Sequence, residues 1–368
     1  MQNIKSARER REKIKLETGV DTAPFAGVLP DKEENVRIEN LMGGIALPMG
    51  VAGPVSIGPG TKDVYIPLAT TEGALVASVN RGCKAIRQAG NLNITVERPG
   101  TTRSPVFFTG TLEAGSNLKQ WIAGHEEELA EVAKATSRHI RLLSVLSRIA
   151  GPYTYVLCAY DTGDAMGMNM ATIATEAVAQ YIVSGTGTRL LALAGNVDSD
   201  KKPSWNSVLD GRGFSVHAET ELADRDIETI LKTDAQSLFD VWLGKCLAGS
   251  AVAGSLGFNA HFANIIAALY AATGQDLAHV VEGSTGMTMM QRMRAGIRVS
   301  VYIPSVLVGT VGGGTKLITQ TAARNLTGAV HADEFAKVVG VAVLAGEISL
   351  LASLAEGSLA RTHKKLGR

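Results

Sequence analysis

Cysteine is scarce: three in 368 residues, Cys83, Cys158 and Cys246. They are too few and too scattered for a disulfide framework or a zinc site, so no metal is expected and a reducing, cytoplasmic setting is. Net charge is almost absent as well, at +1. A nearly neutral chain gives no electrostatic case for nucleic acid or an anionic membrane. The N-terminal "MQNIKSARERREKIKLETG" has no apolar stretch, which argues against a signal peptide. Its weak apolar stripe and interspersed glutamates read as a surface helix rather than a nucleic-acid arm. There is no internal repeat and no low-complexity tract. The G-x-G-x-x-G fingerprint does not occur, so a Rossmann fold is not supported.

What is present is apolar substance: 45% apolar residues against 19% charged. A sizeable core and two or three domains are expected. Residues 246–275 carry no formal charge and are long enough to span a bilayer. Asn259, His261 and Asn264 in that run would need partners inside lipid, so buried helices are expected instead.

"VYIPLATTEG" reads as a strand ending in a turn, with Thr70 or Thr71 capping a helix from about Glu72. Leu75, Val76, Val79, Cys83 and Ile86 give that helix one apolar face. "PVFFTGTL", "PYTYVLCAYDT" and "LLALAGNV" are strand-like. Residues 117–147 and "MGMNMATIATEAVAQYIV" are expected to be helical, and 213–368 mostly helical apart from "IPSVLVGTVGGGTK".

Several stretches offer chemistry. "GNVDSDKKPSW" sets Lys201 and Lys202 behind Asp198 and Asp200. Alone it is readable as a solvated turn. "GDAMGMNM" follows a strand and opens a helix, whose free N–H groups suit a phosphate; an ordinary strand-to-helix turn is the other reading. "GTVGGGT" lets backbone approach a ligand without Cβ interference, or forms a flexible hairpin. Glu72 stands at a helix N-terminus, where a carboxylate is also a plain cap. Asp276 in "GQD" stands past a helix end, where a carboxylate is disfavoured. His363 lies five residues from the last residue, where chains usually fray.

Together "TTEGALVASVNRGCKAI", "DAMGMNM", "DKKP", "NAHFANI…GQD" and "GTVGGGT", in this order, closely resemble 3-hydroxy-3-methylglutaryl-CoA (HMG-CoA) reductase, from about residue 35 onward. "DAMGMNM" looks like the class I branch, in its soluble archaeal-type form. The resemblance implies an α+β fold: a helical segment over 1–30, a large substrate and CoA domain over 31–104 and 193–368, and a ferredoxin-like NADP(H) domain inserted over 105–192.

It implies a reaction too: reduction of a thioester to an alcohol with two NADPH, giving mevalonate and free CoA. Lys201 matches the lysine that polarises the carbonyl. Glu72 matches the proton donor, Asp276 the aspartate between them, and His363 the histidine that protonates the CoA thiolate. Arg103, Asp200, Lys202 and Lys245 match contacts to the substrate carboxylate. Asn264 matches the residue ordering the network, and Ser78, Asn80, Arg81 and His261 match CoA-side or active-site contacts. Ala194 stands where many relatives have a serine, so one substrate hydrogen bond is missing from the pattern.

Asp164, Met166, Gly167, Asn169 and Val311, Gly312, Gly313 and Gly314 match nucleotide contacts. Ser137 and Arg138 align with residues that hold the 2′-phosphate, which favours NADPH over NADH. Family members are dimers or dimers of dimers with sites at the interface. "ENLMG" resembles their dimerisation segment. Lys201 is therefore expected from one subunit and Glu72 and Asp276 from the other or from a shared interface, with the C-terminal tail closing over CoA. A scaffold that binds CoA esters without turnover is the competing expectation; a Schiff-base aldolase using Lys201 is a third.

Overall fold

The computed structural model describes residues 6–29, 36, 38–58 and 60–357. It is a mixed α/β chain whose ladders are antiparallel. Strands β1 (Met49–Val55) and β2 (Val64–Ala69) pair with each other. The others are β3 (Asn93–Arg103), β4 (Val106–Phe108), β5 (Arg141–Ala150), β6 (Tyr153–Asp161), β7 (Arg189–Ala192), β8 (Arg212–Ala223), β9 (Met287–Met293) and β10 (Gly296–Val306). They form one sheet in the order β7-β4-β6-β3-β8-β10-β9, with β5 beside β6.

Two hydrophobic cores hang on this sheet. In one, Phe107, Val156 and Tyr160 pack on Leu118, Leu129, Val178 and Ile182, from the helices Leu112–Ala123, Glu126–Lys134 and Met168–Thr186. In the larger, Val216, Val299 and Ile303 pack with the helices Leu75–Ala89, Phe262–Thr273 and Ala332–Glu356. β3 joins them: its first part pairs with β8 and its last three residues pair with β6. Arg103, the last residue of β3, therefore stands where the two cores meet.

Three expectations about the elements change. Residues 141–150 are a strand, not the end of a helix, because "RLLSVLSRIA" exposes alternate side chains along most of its length, the period of a pleated strand. A turn at Gly151 and Pro152 folds it onto β6. Residues 213–368 hold most of β8 and all of β9 and β10; much of β8 and β10 is buried on both faces, which hides the alternation expected of a half-exposed strand. The helix expected from Glu72 starts at Leu75, after Ala74 in the left-handed region with no side-chain cap. Thr70 Oγ1 instead accepts the Glu72 N–H.

The run 246–275 breaks into helical pieces ending at Ala253 and restarting at Phe262. Among the described residues, only Ala332–Glu356 is long and apolar enough to cross a membrane, and 78% of its apolar window is buried inside the fold. The N-terminal helix Ala7–Thr18 buries none of its residues. Its Arg10 and Arg11 donate to the carbonyls of Leu41 and Met42, within "ENLMG".

Candidate active site

The segment around Lys201 is no solvated turn. Asp198 and Ser199 are buried. Asn196, Ser199 and Lys201 all have positive φ, at 65°, 58° and 56°. Non-glycine residues adopt that region only where surroundings over-determine it. Here Asp198 Oδ2 accepts the Ser104 N–H and its carbonyl accepts Thr102 Oγ1. Arg103 reaches Asp198 and Asp200 at 3.5 and 3.3 Å. The loop is tied to the end of β3.

From it Lys201 Nζ meets Asp276 Oδ2 at 2.8 Å. Asp276 is not the costly carboxylate at a helix end that its sequence position suggested. Gly274 closes the preceding helix, and Asp276 caps a new turn, accepting the Ala278 N–H at 3.1 Å. Burial opposes its charge; hydrogen bonds from Lys201 and Ala278 and the charges of His279 and Lys201 outweigh it and hold the carboxyl below its ordinary value. Asp200 follows the same logic: burial pushes its pKa up, and Arg212 and Arg103 bring it down below the usual range.

These groups face a cleft of about 670 Å³ whose lining includes Arg103, Met166, Gly167, Asn169, Asp200, Lys201, Asp276 and Val311–Gly314. Two loops wall it. "DAMG" is stitched to "TVGGG" by the N–H groups of Thr310 and Val311, which both donate to the Asp164 carbonyl. Gly167 (φ 87°) opens the helix Met168–Thr186, and a Cβ there would lie 2.3 Å from Thr162 Cγ2. An unblocked helix N-terminus beside a wall of glycines fits a dinucleotide's phosphates and a flat ring.

Other expected residues sit elsewhere. Glu72 lines a separate cavity of about 190 Å³ with Ser78, Arg81, His261 and Ser353, and Asn264 Nδ2 reaches Glu72 Oε1 at 3.4 Å. Arg81 donates to Ser349 Oγ and to the Ser349 carbonyl. Asn80 is turned to β1, where it accepts the Gly53 N–H. Lys202 is exposed and donates to the Asp200 carbonyl. Lys245 is exposed on the π-helical stretch Leu243–Gly249 and, among the described residues, makes no ion pair with Asp200.

Asp164 does not line the large cleft. It caps the long core helix, accepting the Ala332 N–H at 2.9 Å and pairing with His331 at 3.1 Å. Ser137 accepts the His139 N–H and touches Met170 Sδ, and Arg138 donates to His139; neither lines that cleft. His363 lies outside the described residues. The expected division of subunits is corrected in one respect: Asp276 meets Lys201 within a single chain.

Sequence reading overlooked Arg212, His279 and Glu282. Arg212 is a charged residue opening an apolar strand. His279 and Glu282 follow Asp276 at steps of three, the spacing of one helical face. All three are buried. Asp200, His279 and Glu282 bring potential ligand atoms within 4.8 Å of one another. Arg212, however, already binds Asp200 at 3.0 Å and Glu282 at 2.6 Å. Its charge stands against a metal ion there.

A profile of the hydroxymethylglutaryl-coenzyme A reductase family matches residues 6–368. A 3-hydroxy-3-methylglutaryl-coenzyme A reductase of Methanothermobacter thermautotrophicus is 44% identical, over 99% of this chain and 94% of its own length. That of Methanocaldococcus jannaschii is 43% identical, over 98% and 92%. Among solved structures, a class II 3-hydroxy-3-methylglutaryl-CoA reductase of Streptococcus pneumoniae, bound to NADPH in open conformations, superposes with a TM-score of 0.73 at 20% identity, covering 95% of this chain and 87% of that one. At that identity the likeness speaks for the fold.

Proposed function

Because this chain belongs to the hydroxymethylglutaryl-coenzyme A reductase family, we propose that it reduces (S)-HMG-CoA to (R)-mevalonate and CoA with two NADPH, feeding isoprenoid synthesis. The observation that carries this reading is the Lys201–Asp276 pair at 2.8 Å, opening on a cleft walled by a helix N-terminus and three glycines. The class I assignment rests on "DAMGMNM"; the class II structure, at 20% identity, bears on the fold alone.

NADPH bound in this cleft would supply the hydrides. The main-chain N–H groups at the start of Met168–Thr186 would face its phosphates and Gly312–Gly314 its nicotinamide side. Ser137 and Arg138 are retained as candidates for the 2′-phosphate. The residues 105–192 would then form the nucleotide domain, and 31–104 with 193–368 the substrate and CoA domain.

Thioester reduction builds negative charge on the carbonyl oxygen. Lys201 carries an ammonium to it, and Asp276 fixes where that ammonium points, so little reorganisation is needed as the charge grows. Arg103, at the end of β3, and Lys202, next to Lys201, would take the substrate's distal carboxylate. An amine already ion-paired with Asp276 is poorly arranged for Schiff-base chemistry. Glu72 is the proton donor, oriented by Asn264, and His363 the acid for the departing thiolate.

Glu72 does not reach its own chain's Asp276 in this reading. Asn264 lies in the first turn of the 12-residue helix Phe262–Thr273 and Asp276 beyond its last. At ~1.5 Å per residue the two ends are about 18 Å apart. We therefore place Glu72 of a second copy against Lys201 and Asp276, in a dimer or a dimer of dimers. The test begins with NADPH oxidation by the wild-type chain on HMG-CoA; none would reject the activity. Inactive Glu72→Gln and Lys201→Ala chains are then mixed under subunit exchange. Recovery to roughly a quarter of the wild-type rate is expected for a two-fold site, and none from mixing Lys201→Ala with Asp276→Asn. Failure of the first mixture to recover would reject the shared site.

A further inference from the structure

Behind the cleft lies a ring of contacts. Glu282 Oε1 accepts from Arg212 Nη1 at 2.6 Å, His279 Nδ1 at 2.8 Å and the Lys201 main-chain N–H at 3.3 Å. The other imidazole nitrogen, His279 Nε2, stands 3.6 Å from Asp276 Oδ2, the same oxygen that takes Lys201 Nζ. The path runs from Glu282 through His279 and Asp276 to the Lys201 side chain, and returns to Glu282 through the Lys201 main chain. His279 and Glu282 are fully buried and Arg212 is 1% exposed.

Burying a carboxylate, an imidazole and a guanidinium costs more than packing apolar groups of the same size, so packing alone does not explain them. Lys201 has a left-handed backbone, a conformation that persists only when held. Glu282 holds it. His279 Nε2 and Glu282 Oε2 are buried without a hydrogen-bond partner, and the Nε2 edge lies against Asp276 Oδ2 at 3.6 Å, just beyond hydrogen-bond reach.

Resting on the reading of Lys201 as the electrophile, we infer that His279 is a positioning residue: its Nε2 edge backs the Asp276 carboxylate, which in turn aims the Lys201 ammonium. The groups facing the imidazole are Asp276 and Glu282, with Arg212, Lys201 and Asp200 one contact further.

Two isosteres separate the imidazole's edges. Asn at 279 reproduces the Nδ1 donor toward Glu282 and removes the Nε2 edge. Gln reproduces the Nε2 edge. For His279→Asn, kcat falls about 100-fold with both KM values nearly unchanged, as expected when a reacting group is misplaced by about 1 Å. For His279→Gln, kcat stays within about threefold of wild type. A second readout is independent of turnover: acetylation of Lys201 by acetic anhydride, followed by peptide mass spectrometry. Freed from its carboxylate, the amine is acetylated several-fold faster in His279→Asn and at the wild-type rate in His279→Gln.

Equal loss of kcat in both variants, or no change in either readout, overturns the inference. If wild type does not oxidise NADPH, the proposed reaction fails while the acetylation contrast still decides the positioning. If His279→Asn does not fold, as judged by a thermal melt, His279→Gln decides alone: Lys201 acetylation more than about threefold faster than wild type overturns the inference.

Discussion

Gly274→Ala tests whether the triglycine wall belongs to the nucleotide site. Gly274 closes the helix Phe262–Thr273 with φ 73°, two residues before Asp276. A Cβ on it would lie 2.3 Å from the Gly314 carbonyl oxygen, 2.4 Å from its carbon and 2.8 Å from the Thr315 nitrogen. Ordinary contact begins at 3.4 Å, so one backbone must retreat by about 1 Å. The left-handed conformation adds roughly 1–2 kcal/mol for an alanine. The loop is the partner that yields, because a methyl group on Gly312 or Gly313 would meet nothing within 4 Å. The turn carrying Asp276 is held by the Ala278 cap and by Lys201. The KM for NADPH is therefore expected to rise about tenfold, equivalent to about 1.4 kcal/mol, with a smaller change in kcat and in the KM for HMG-CoA. The melting temperature should fall by a few degrees. Initial rates at 340 nm with each substrate varied, beside a thermal melt, decide it. A lower melting temperature with an unchanged KM for NADPH would refute the reasoning: the loop would have moved without the nucleotide noticing.

Arg212→Leu removes the cation from a fully buried carboxylate, and the stability lost should be about 3–5 kcal/mol, read as a lower urea midpoint; a loss below about 1 kcal/mol would mean that Glu282 finds another partner. The cap at the long core helix should impose a pH window. Hydrogen bonding and charge from Asp164 raise the pKa of His331 above 6.5, so its contribution is complete below that value and disappears as pH rises through the raised one. Burial opposes the charge of Asp164, but hydrogen bonds from Ala332 and His331 bring its pKa below 3.8; its contribution is present above 3.8 and disappears as pH falls through the lowered value. His331→Ala should flatten the alkaline side of a stability–pH profile and shrink the acid side, leaving there what the Ala332 hydrogen bond to Asp164 supports. An alkaline limb that persists unchanged would assign it to other groups.

Legibility in the sequence followed what each residue had to do locally. Lys201, Asp276, the "DAMGMNM" turn and the triglycine stand out because each breaks a local habit: paired charges, a carboxylate after a helix end, glycines in a row. The structure brings them to one cleft. The anchor behind them is illegible for the opposite reason. Glu282 follows two valines inside "HVVEG", where a glutamate reads as an exposed helical residue, and only the three-dimensional approach of Arg212 explains its burial. Asp164 misled because its motif neighbours Met166, Gly167 and Asn169 do line the cleft while its own side chain turns to the helix at Ala332. The helical reading of 213–368 failed because strands covered on both faces lose the alternation by which a strand is recognised. Residues 141–150 failed because a helical pattern was carried past the point where alternation of period two begins.

The Lys201–Asp276 pair also shows why a site of this kind needs support that contributes little visible chemistry. Both side chains are more than a third exposed, 39% and 36%. An ion pair at that exposure contributes about 0–1 kcal/mol, whereas fixing a lysine side chain costs up to about 2 kcal/mol of rotamer entropy. Left to itself, the pair would not hold one geometry. The order must come from groups whose own positions are not negotiable, and these lie one step deeper: Glu282 and His279 at 0% exposure and Arg212 at 1%. A buried ion pair is a poor source of net stability but a strict geometric constraint, since any departure leaves a desolvated charge without its partner. The partly exposed end can then meet substrate and solvent while the buried end keeps the ammonium aimed. The two layers should therefore respond differently to change: isosteres at Lys201 or Asp276 should cost little stability, whereas removing one partner of the Arg212–Glu282 pair leaves a desolvated charge behind.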